Sequence, residues 1–143
     1  MLKKRVRNHA NPLSFNQRLN HIVLPDNLDS YDAIDFEIGF GRGKFISDYA
    51  NRHKQRFSLA VEVRKRMVDI FNSKYSSDNL MALWGTGQIV LEDICLDQSL
   101  SRVFIFHPDP WFKKRHHKRR VVSDQLLKTL RQKLTPNGTI YIS

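Results

Sequence analysis

Residues 33–46 read AIDFEIGFGRGKFI and decide the fold. Residues 33–38 are typical of a buried strand, and glycines at alternate positions follow before apolar residues resume at helical spacing. Glycines permit a sharp turn and the close approach of a ligand, and a helix that begins after the turn offers free N–H groups. This stretch therefore predicts the first strand, turn and helix of a nucleotide-type binding site.

The spacing of the glycines narrows the choice of ligand. Gly39, Gly41 and Gly43, here called the glycine turn, form G-x-G-x-G and not the G-x-G-x-x-G of dinucleotide binders. No Ser or Thr follows Lys44, as a phosphate-binding P-loop would require. Glu37, just before the turn, would repel a pyrophosphate but can accept a hydrogen bond from a cationic amine. We therefore favour S-adenosylmethionine, which carries an ammonium and a sulfonium, as the cofactor.

Strand and helix patterns alternate along the rest of the chain, which predicts an α/β fold with a doubly wound, mostly parallel sheet. Glu62 lies near the end of the second predicted strand and is the expected acceptor for ribose hydroxyls, with an ordinary strand-end carboxylate as the alternative. The further strands are predicted at 57–63, 80–84, 102–106 and 139–142, and helices at 64–74, 88–91 and after Ser123 or Asp124, where Leu126, Leu127, Leu130 and Leu134 share a face.

A second informative stretch, residues 107–120, reads HPDPWFKKRHHKRR. Asp109 lies between two prolines after the fourth predicted strand, at the edge where ligands collect in open α/β sheets. Every residue from 113 to 120, here called the basic segment, is Lys, Arg or His, and the chain carries a formal net charge of +10. We predict an active site with a polyanionic substrate such as nucleic acid. A Pro-rich turn followed by a solvated basic surface is the alternative.

The domain organisation is predicted to be simple. Residues 1–30 are expected to form a basic N-terminal arm, mostly irregular with a short helix around Ser14 to Asn20, and residues 31–143 to form one domain. The arm either contacts phosphates or is a poorly ordered terminus. The sequence patterns do not indicate which oligomeric state the protein adopts.

The remaining composition favours a cytoplasmic protein without disulfides. Cys95 is the one cysteine, and its apolar neighbours predict a buried, unreactive thiol. No apolar run approaches the ~18 residues that a membrane span needs. His107 and Asp109 could begin a metal site, but no third ligand has convincing spacing, so no metal is expected.

Taken in order, residues 37–43, Glu62, residues 108–111 and the basic segment resemble the tRNA (guanine-N7-)-methyltransferase family. The P-D-P-W run and the R-H-x-K-R-R run are close to diagnostic, and the similarity extends from about residue 34 to the end. The resemblance implies a Rossmann-like, S-adenosylmethionine-dependent methyltransferase. It also implies the substrate, the guanine at position 46 in the variable loop of tRNA.

The resemblance assigns roles to individual residues. It implies that Glu37 and the glycine turn hold the methionine end of the cofactor and that Glu62 holds the ribose. It implies that Asp109 lies beside both cofactor and guanine and is the catalytic residue. Lys113 matches a substrate-contacting position, and the positions that match an RNA-binding segment are Arg115, His116, His117, Lys118, Arg119 and Arg120.

The sequence departs from the family pattern in two places. Thr86 stands where the family usually has an Asp that contacts the adenine amine, and a threonine carries no charge. The family also continues past the fifth strand with further strands that shape the guanine pocket, so the last strands of the sheet are expected to be missing here. A catalytically impaired tRNA-binding protein, or a fragment of such an enzyme, is the alternative function.

Overall fold

A computed structural model of the protein describes residues 11–108 and 112–143. Five strands and four α-helices alternate in these ranges, with three short 3₁₀ helices. The elements are β1 (Ala33–Ile38), α1 (Lys44–Arg52), β2 (Arg56–Glu62), α2 (Lys65–Lys74), β3 (Leu80–Trp84), α3 (Gly87–Asp93), β4 (Leu100–Ile105), α4 (Asp124–Lys133) and β5 (Leu134–Ile142), and the 3₁₀ helices are Pro12–Ser14, Leu28–Ser30 and Lys114–Arg119.

The strands form one sheet in the order β3-β2-β1-β4-β5, and every neighbouring pair is parallel. The chain moves outward from β1 to β3 and then returns to place β4 on the other side of β1. Ligands of open α/β sheets bind where the strand order reverses in this way. The predicted doubly wound parallel sheet is confirmed, and the reversal lies between the strands that precede the glycine turn and Asp109.

Both faces of the sheet are covered, because successive strand residues point to opposite sides. Phe36 and Ile38 of β1 belong to the core on the side of α3 and α4, where Val90 and Leu130 are fully buried. The other core contains the apolar residues of α1 and α2, among them Ile46, Tyr49, Val68 and Phe71. Among the described residues, no helix combines the length and apolar character that a membrane crossing requires.

Two predicted features of the fold are wrong. The expected helix around Ser14 to Asn20 is absent, and a 3₁₀ helix at Pro12–Ser14 takes its place, capped by the Asn11 side chain. Leu134 does not continue the face of α4, since α4 ends at Lys133 and Leu134 pairs with Leu100 of β4. Pro136 disfavours helical geometry for the residue before it and cannot supply the next helical N–H, which explains the early end.

The last glycine of the turn predicts a measurable steric effect. Gly39 and Gly43 both have a positive φ, of 78° and 77°, but a Cβ on Gly39 would enter open space. A Cβ on Gly43 would overlap the buried ring of Phe71. Gly39→Ala should therefore cost only the backbone strain, about 1–2 kcal/mol, and Gly43→Ala should cost roughly 1–3 kcal/mol more. Urea unfolding of the two variants measures the difference, and equal losses of stability would contradict the packing described here.

Candidate active site

One cavity of about 450 Å³ opens at the carboxyl ends of β1, β2, β3 and β4. Its volume lies in the range of small-molecule sites. We call it the edge cavity. Residues that follow each strand line it, together with the N-terminal segment and the end of the basic segment: Pro12, Leu13, Phe15, Arg18, Gly39, Glu62, Arg64, Thr86, His107, Pro108, Lys118, Arg119, Arg120 and Leu126 are among them.

The glycine turn carries β1 into α1 through three left-handed residues. Gly39, Gly41 and Gly43 have φ values of 78°, 57° and 77°, which residues with a Cβ rarely adopt. The N–H of Gly39 donates to the carbonyl of Val61 in β2, with an N–O distance of 2.8 Å. Gly43 is the N-cap of α1 and offers no side chain to its N–H groups. The N–H of Gly41 donates to Glu62 and that of Gly43 to the carbonyl of Phe40, so all three glycine N–H groups are bonded inside the fold, whereas the space above Gly39 is open.

Glu37 is buried in β1, one strand position below the residues that line the edge cavity, and is 3% exposed. Its Oε2 atom has no hydrogen-bond partner among the described residues. Burial, with a smaller contribution from the negative charge of Glu62, raises the pKa of Glu37 to about 8. A buried carboxyl of this kind favours a cationic partner. Its predicted role at the methionine end of the cofactor stays a prediction.

Glu62 is the most heavily hydrogen-bonded acid of the site. Its Oε2 accepts from the N–H of Gly41 at 2.9 Å and from Nη2 of Arg64 at 3.3 Å. Its Oε1 accepts from Nε of Arg64 at 2.8 Å and from the backbone N–H of Arg64 at 3.2 Å. Arg64 therefore already holds the carboxylate that is predicted to contact the ribose, and that contact stays a prediction. The sequence interpretation missed Arg64, although it stands two residues after the acid.

Thr86 lies at the turn between β3 and α3 and lines the edge cavity. Its hydroxyl oxygen accepts a hydrogen bond from the N–H of Ile89 at 3.2 Å and so caps α3. This structural role does not use the hydroxyl proton. The predicted contact of Thr86 with the adenine stays a prediction, and it would be a contact with a neutral group.

The chain leaves β4 in a constrained conformation. His107 has a φ of 50°, which is uncommon for a residue with a Cβ. Its N–H donates to the carbonyl of Ser143 at 3.2 Å, and the N–H of Ser143 donates to the carbonyl of Ile105 at 3.3 Å. Pro108 then reaches the edge cavity. Asp109, the predicted catalytic residue, lies outside the described residues.

The basic segment divides into two parts. Lys118, Arg119 and Arg120 line the edge cavity, whereas its earlier residues do not. Most of its side chains are exposed, and Lys114–Arg119 form a 3₁₀ helix. Partial burial and the charges of nearby arginines and Lys113 lower the pKa of His116, which favours the neutral imidazole at pH 7. The predicted RNA contacts of Lys113, Arg115, His116 and His117 stay predictions.

Cys95 lies away from the edge cavity and is buried. Burial raises the pKa of its thiol to about 12, so the reactive thiolate is disfavoured at neutral pH. The predicted burial of Cys95 is confirmed. The described residues contain no group of three or more His, Cys, Asp or Glu side chains arranged to hold a metal ion.

Comparison with known proteins decides the family. A family model described as "Putative methyltransferase" matches residues 32–143. The tRNA (guanine-N(7)-)-methyltransferase of Thermosynechococcus vestitus is 37% identical, over 96% of this chain and 68% of that protein. The enzyme of the same name from a Synechocystis species is 34% identical, over 99% of this chain and 71% of that protein.

The chain belongs to the tRNA (guanine-N7-)-methyltransferase family.

Solved structures agree with the family at the level of the fold. The 16S rRNA methyltransferase KamB superposes with a TM-score of 0.61 at 17% identity, over 80% of this chain and 54% of that one. An S-adenosylmethionine-dependent methyltransferase from Listeria monocytogenes superposes with a TM-score of 0.60 at 18% identity, over 83% and 49%. The fold is that of S-adenosylmethionine-dependent methyltransferases.

The chain is shorter than its relatives. It spans 62% of a further relative of the same name, from a Synechococcus species, to which it is 33% identical, and 68% of the Thermosynechococcus protein. The activity, the substrate and the partners that these longer relatives have are therefore proposals for this chain.

S-adenosylmethionine fits the site on three observations. Glu37 has an unpartnered, buried carboxyl oxygen, which suits the ammonium of the methionine end. The position above Gly39 is open where a side chain would otherwise stand. The edge cavity has room for a nucleoside and is lined by both apolar and polar groups, Ile38 and Thr86 among them. The donors and acceptors present thus match a cationic, non-phosphorylated cofactor.

The buried carboxyl of Glu37 makes stability depend on pH. The folded protein holds this proton up to a pKa of about 8, above the ordinary glutamate value of 4.5, so between these pH values the native state binds more protons than the unfolded chain. The contribution to stability is therefore fully present below about pH 4.5 and is lost as the pH rises to about 8, by roughly 1.4 kcal/mol for each pKa unit.

Glu37→Gln should remove this loss. Urea unfolding at pH 5.5, 7.0 and 8.5 should show the variant gaining stability relative to the wild type as the pH rises. Asp48→Asn, which removes an exposed carboxylate of α1, controls for the change in net charge. A constant difference between Glu37→Gln and the wild type over this range would contradict the assignment of a buried, protonated carboxyl.

Proposed function

We propose that the protein transfers the methyl group of S-adenosylmethionine to N7 of guanine in tRNA, at position 46 of the variable loop, in the cytoplasm. One observation carries the proposal: Gly39 of the glycine turn and the basic residues Lys118, Arg119 and Arg120 line the same cavity. A cofactor held at the turn and an RNA held by these cations would therefore meet. The names of the relatives supply the base and the atom.

The reaction asks for little acid–base chemistry. When bound, S-adenosylmethionine supplies a methyl group on a sulfonium, and the lone pair of guanine N7 forms the new bond to carbon while the electrons of the broken bond stay on sulfur. N7 is an exposed acceptor on the major-groove edge of guanine and needs no deprotonation. Alignment of the reacting atoms is thus the main contribution that the protein has to make.

Different residues of the chain bind the cofactor, bind the RNA and contact the guanine. Glu37 faces the cationic end of the cofactor, and Glu62, kept in place by Arg64, accepts from the ribose hydroxyls. The N–H groups of the first turn of α1, which follows the glycine turn, bind the carboxylate of the methionine end. The basic segment, which begins at Lys113, binds phosphates and fixes the position of the RNA. We assign Asp109 to the guanine, where its carboxylate stabilises the positive charge that methylation places on the purine.

The role of Asp109 is tested by substitution. Asp109→Ala should lower kcat for the methylation of tRNA by roughly 10²- to 10³-fold, the size of effect seen when one preorganised electrostatic group is removed. The affinities for S-adenosylhomocysteine and for tRNA, measured separately by titration, check that the cofactor and RNA sites are intact. Turnover close to that of the wild type would exclude Asp109 as the catalytic residue.

A further inference from the structure

The segment from Pro12 to Leu19 lies across the carboxyl edge of the sheet. Pro12, Leu13, Phe15 and Arg18 line the edge cavity. Leu19 is 4% exposed and packs in the core that also contains apolar residues of β3 and α3. We call residues 12–19 the wall segment. Its position is not that of a poorly ordered terminus, which is one of the two alternatives that its composition suggested.

A buried acid fixes the wall segment to α3. Asp93 is the last residue of α3, and its side chain is 5% exposed. Its Oδ2 accepts from the backbone N–H of Leu19 at 2.8 Å, and its Oδ1 accepts from the guanidinium of Arg18. Arg18 also donates to Glu92 at 3.0 Å. The charge of Arg18 is thus opposed by two acids, and a phosphate would have to compete with both of them.

Phe15 lies directly over the turn between β3 and α3. Its ring packs edge-on against Trp84, with the ring centroids 5.1 Å apart and an interplanar angle of 89°. A Cβ on Gly85 would come within 3.2 Å of Leu19 and 3.5 Å of Phe15. The wall segment therefore contacts the turn that carries Thr86, the position that the family resemblance places at the adenine.

Thr86 is a neutral residue at the position where the resemblance expects a carboxylate to contact the adenine. A neutral threonine, whose oxygen already caps α3, offers a weaker acceptor to an adenine amine than a carboxylate would. Affinity for the base then has to come from apolar and aromatic contact, which Phe15, Pro12 and Leu13 provide on the open side of the cavity.

We propose that the wall segment is part of the cofactor site, with Phe15 packing against the adenine and Arg18 as a positioning residue that fixes the wall through Asp93. This inference rests on the proposed function, since it assigns the adenine side of the same cavity. It gives the N-terminal segment a part in binding the cofactor and not in binding RNA phosphates.

Titration of the full chain with S-adenosylhomocysteine by calorimetry tests the proposal. Phe15→Ala should weaken the affinity roughly tenfold, as expected when an aromatic platform for a base is lost. Phe15→Leu, which keeps apolar volume, should lose less. Arg18→Met, which keeps the aliphatic stem, should weaken the affinity several-fold. In turnover, the KM for S-adenosylmethionine should rise with little change in kcat.

Two control variants lie at the other end of the sheet. Tyr31→Ala removes an aromatic ring that packs on Phe57, with the centroids 5.5 Å apart. Asp97→Asn breaks the ion pair with Lys133, whose N–O distance is 2.9 Å. Both should leave the affinity within twofold of the wild type. Urea unfolding of each variant checks that it stays folded, because reversible unfolding would weaken the apparent affinity in proportion to the folded fraction.

The outcomes separate this inference from the proposed function. If the wild type binds S-adenosylhomocysteine and both Phe15 variants bind it equally well, the inference is wrong and the proposed function stands. If Arg18→Met weakens tRNA binding but not cofactor binding, the segment is a phosphate-contacting arm and the inference is again wrong. If the wild type binds no S-adenosylhomocysteine, the proposed function and the inference both fail.

Discussion

The carboxylate of Glu62 is the interaction on which the site depends. It joins the end of β2 to the glycine turn through the N–H of Gly41, and it holds the side chain and backbone of Arg64 on its other side. Parallel strands in register bring β1 and β2 to the same edge, but they do not determine how the turn between β1 and α1 lies. The bond from Gly41 to Glu62 closes the turn against its neighbouring strand. The cofactor site is therefore organised by the chain's own contacts.

This arrangement brings two acids close together. Both carboxyl oxygens of Glu62 accept hydrogen bonds, whereas Glu37, one strand away, has an oxygen without a partner among the described residues and a pKa that burial raises. The positive φ of His107 adds backbone strain at the same edge. Natural proteins accept such local conflicts mainly at functional sites. Here the carboxyl of Glu37 and the strained backbone of His107 lie at the edge of the sheet where we propose that the cofactor binds.

Sequence patterns predict the sheet well because its signals are local. Apolar strand runs, the glycine turn and the Ser123 cap of α4 all appear as predicted, with the ends of elements shifted by a few residues. The sequence does not predict the position of the wall segment, because the residues that hold it are far apart in the chain. Leu19 and Asp93 are separated by 74 residues, and the donor at Leu19 is a backbone N–H. The sequence interpretation misses Arg64 for a different reason, since an arginine after a strand is usually a surface residue.

Mapping the methylated nucleoside tests the central claim most directly. An unmodified tRNA transcript is incubated with the protein and methyl-labelled S-adenosylmethionine, and the digested RNA is analysed by mass spectrometry. The account predicts that the label appears as 7-methylguanosine at position 46 and at no other guanine of the transcript. Label on a different base or atom, or no transfer by a protein that binds both cofactor and tRNA, would contradict it.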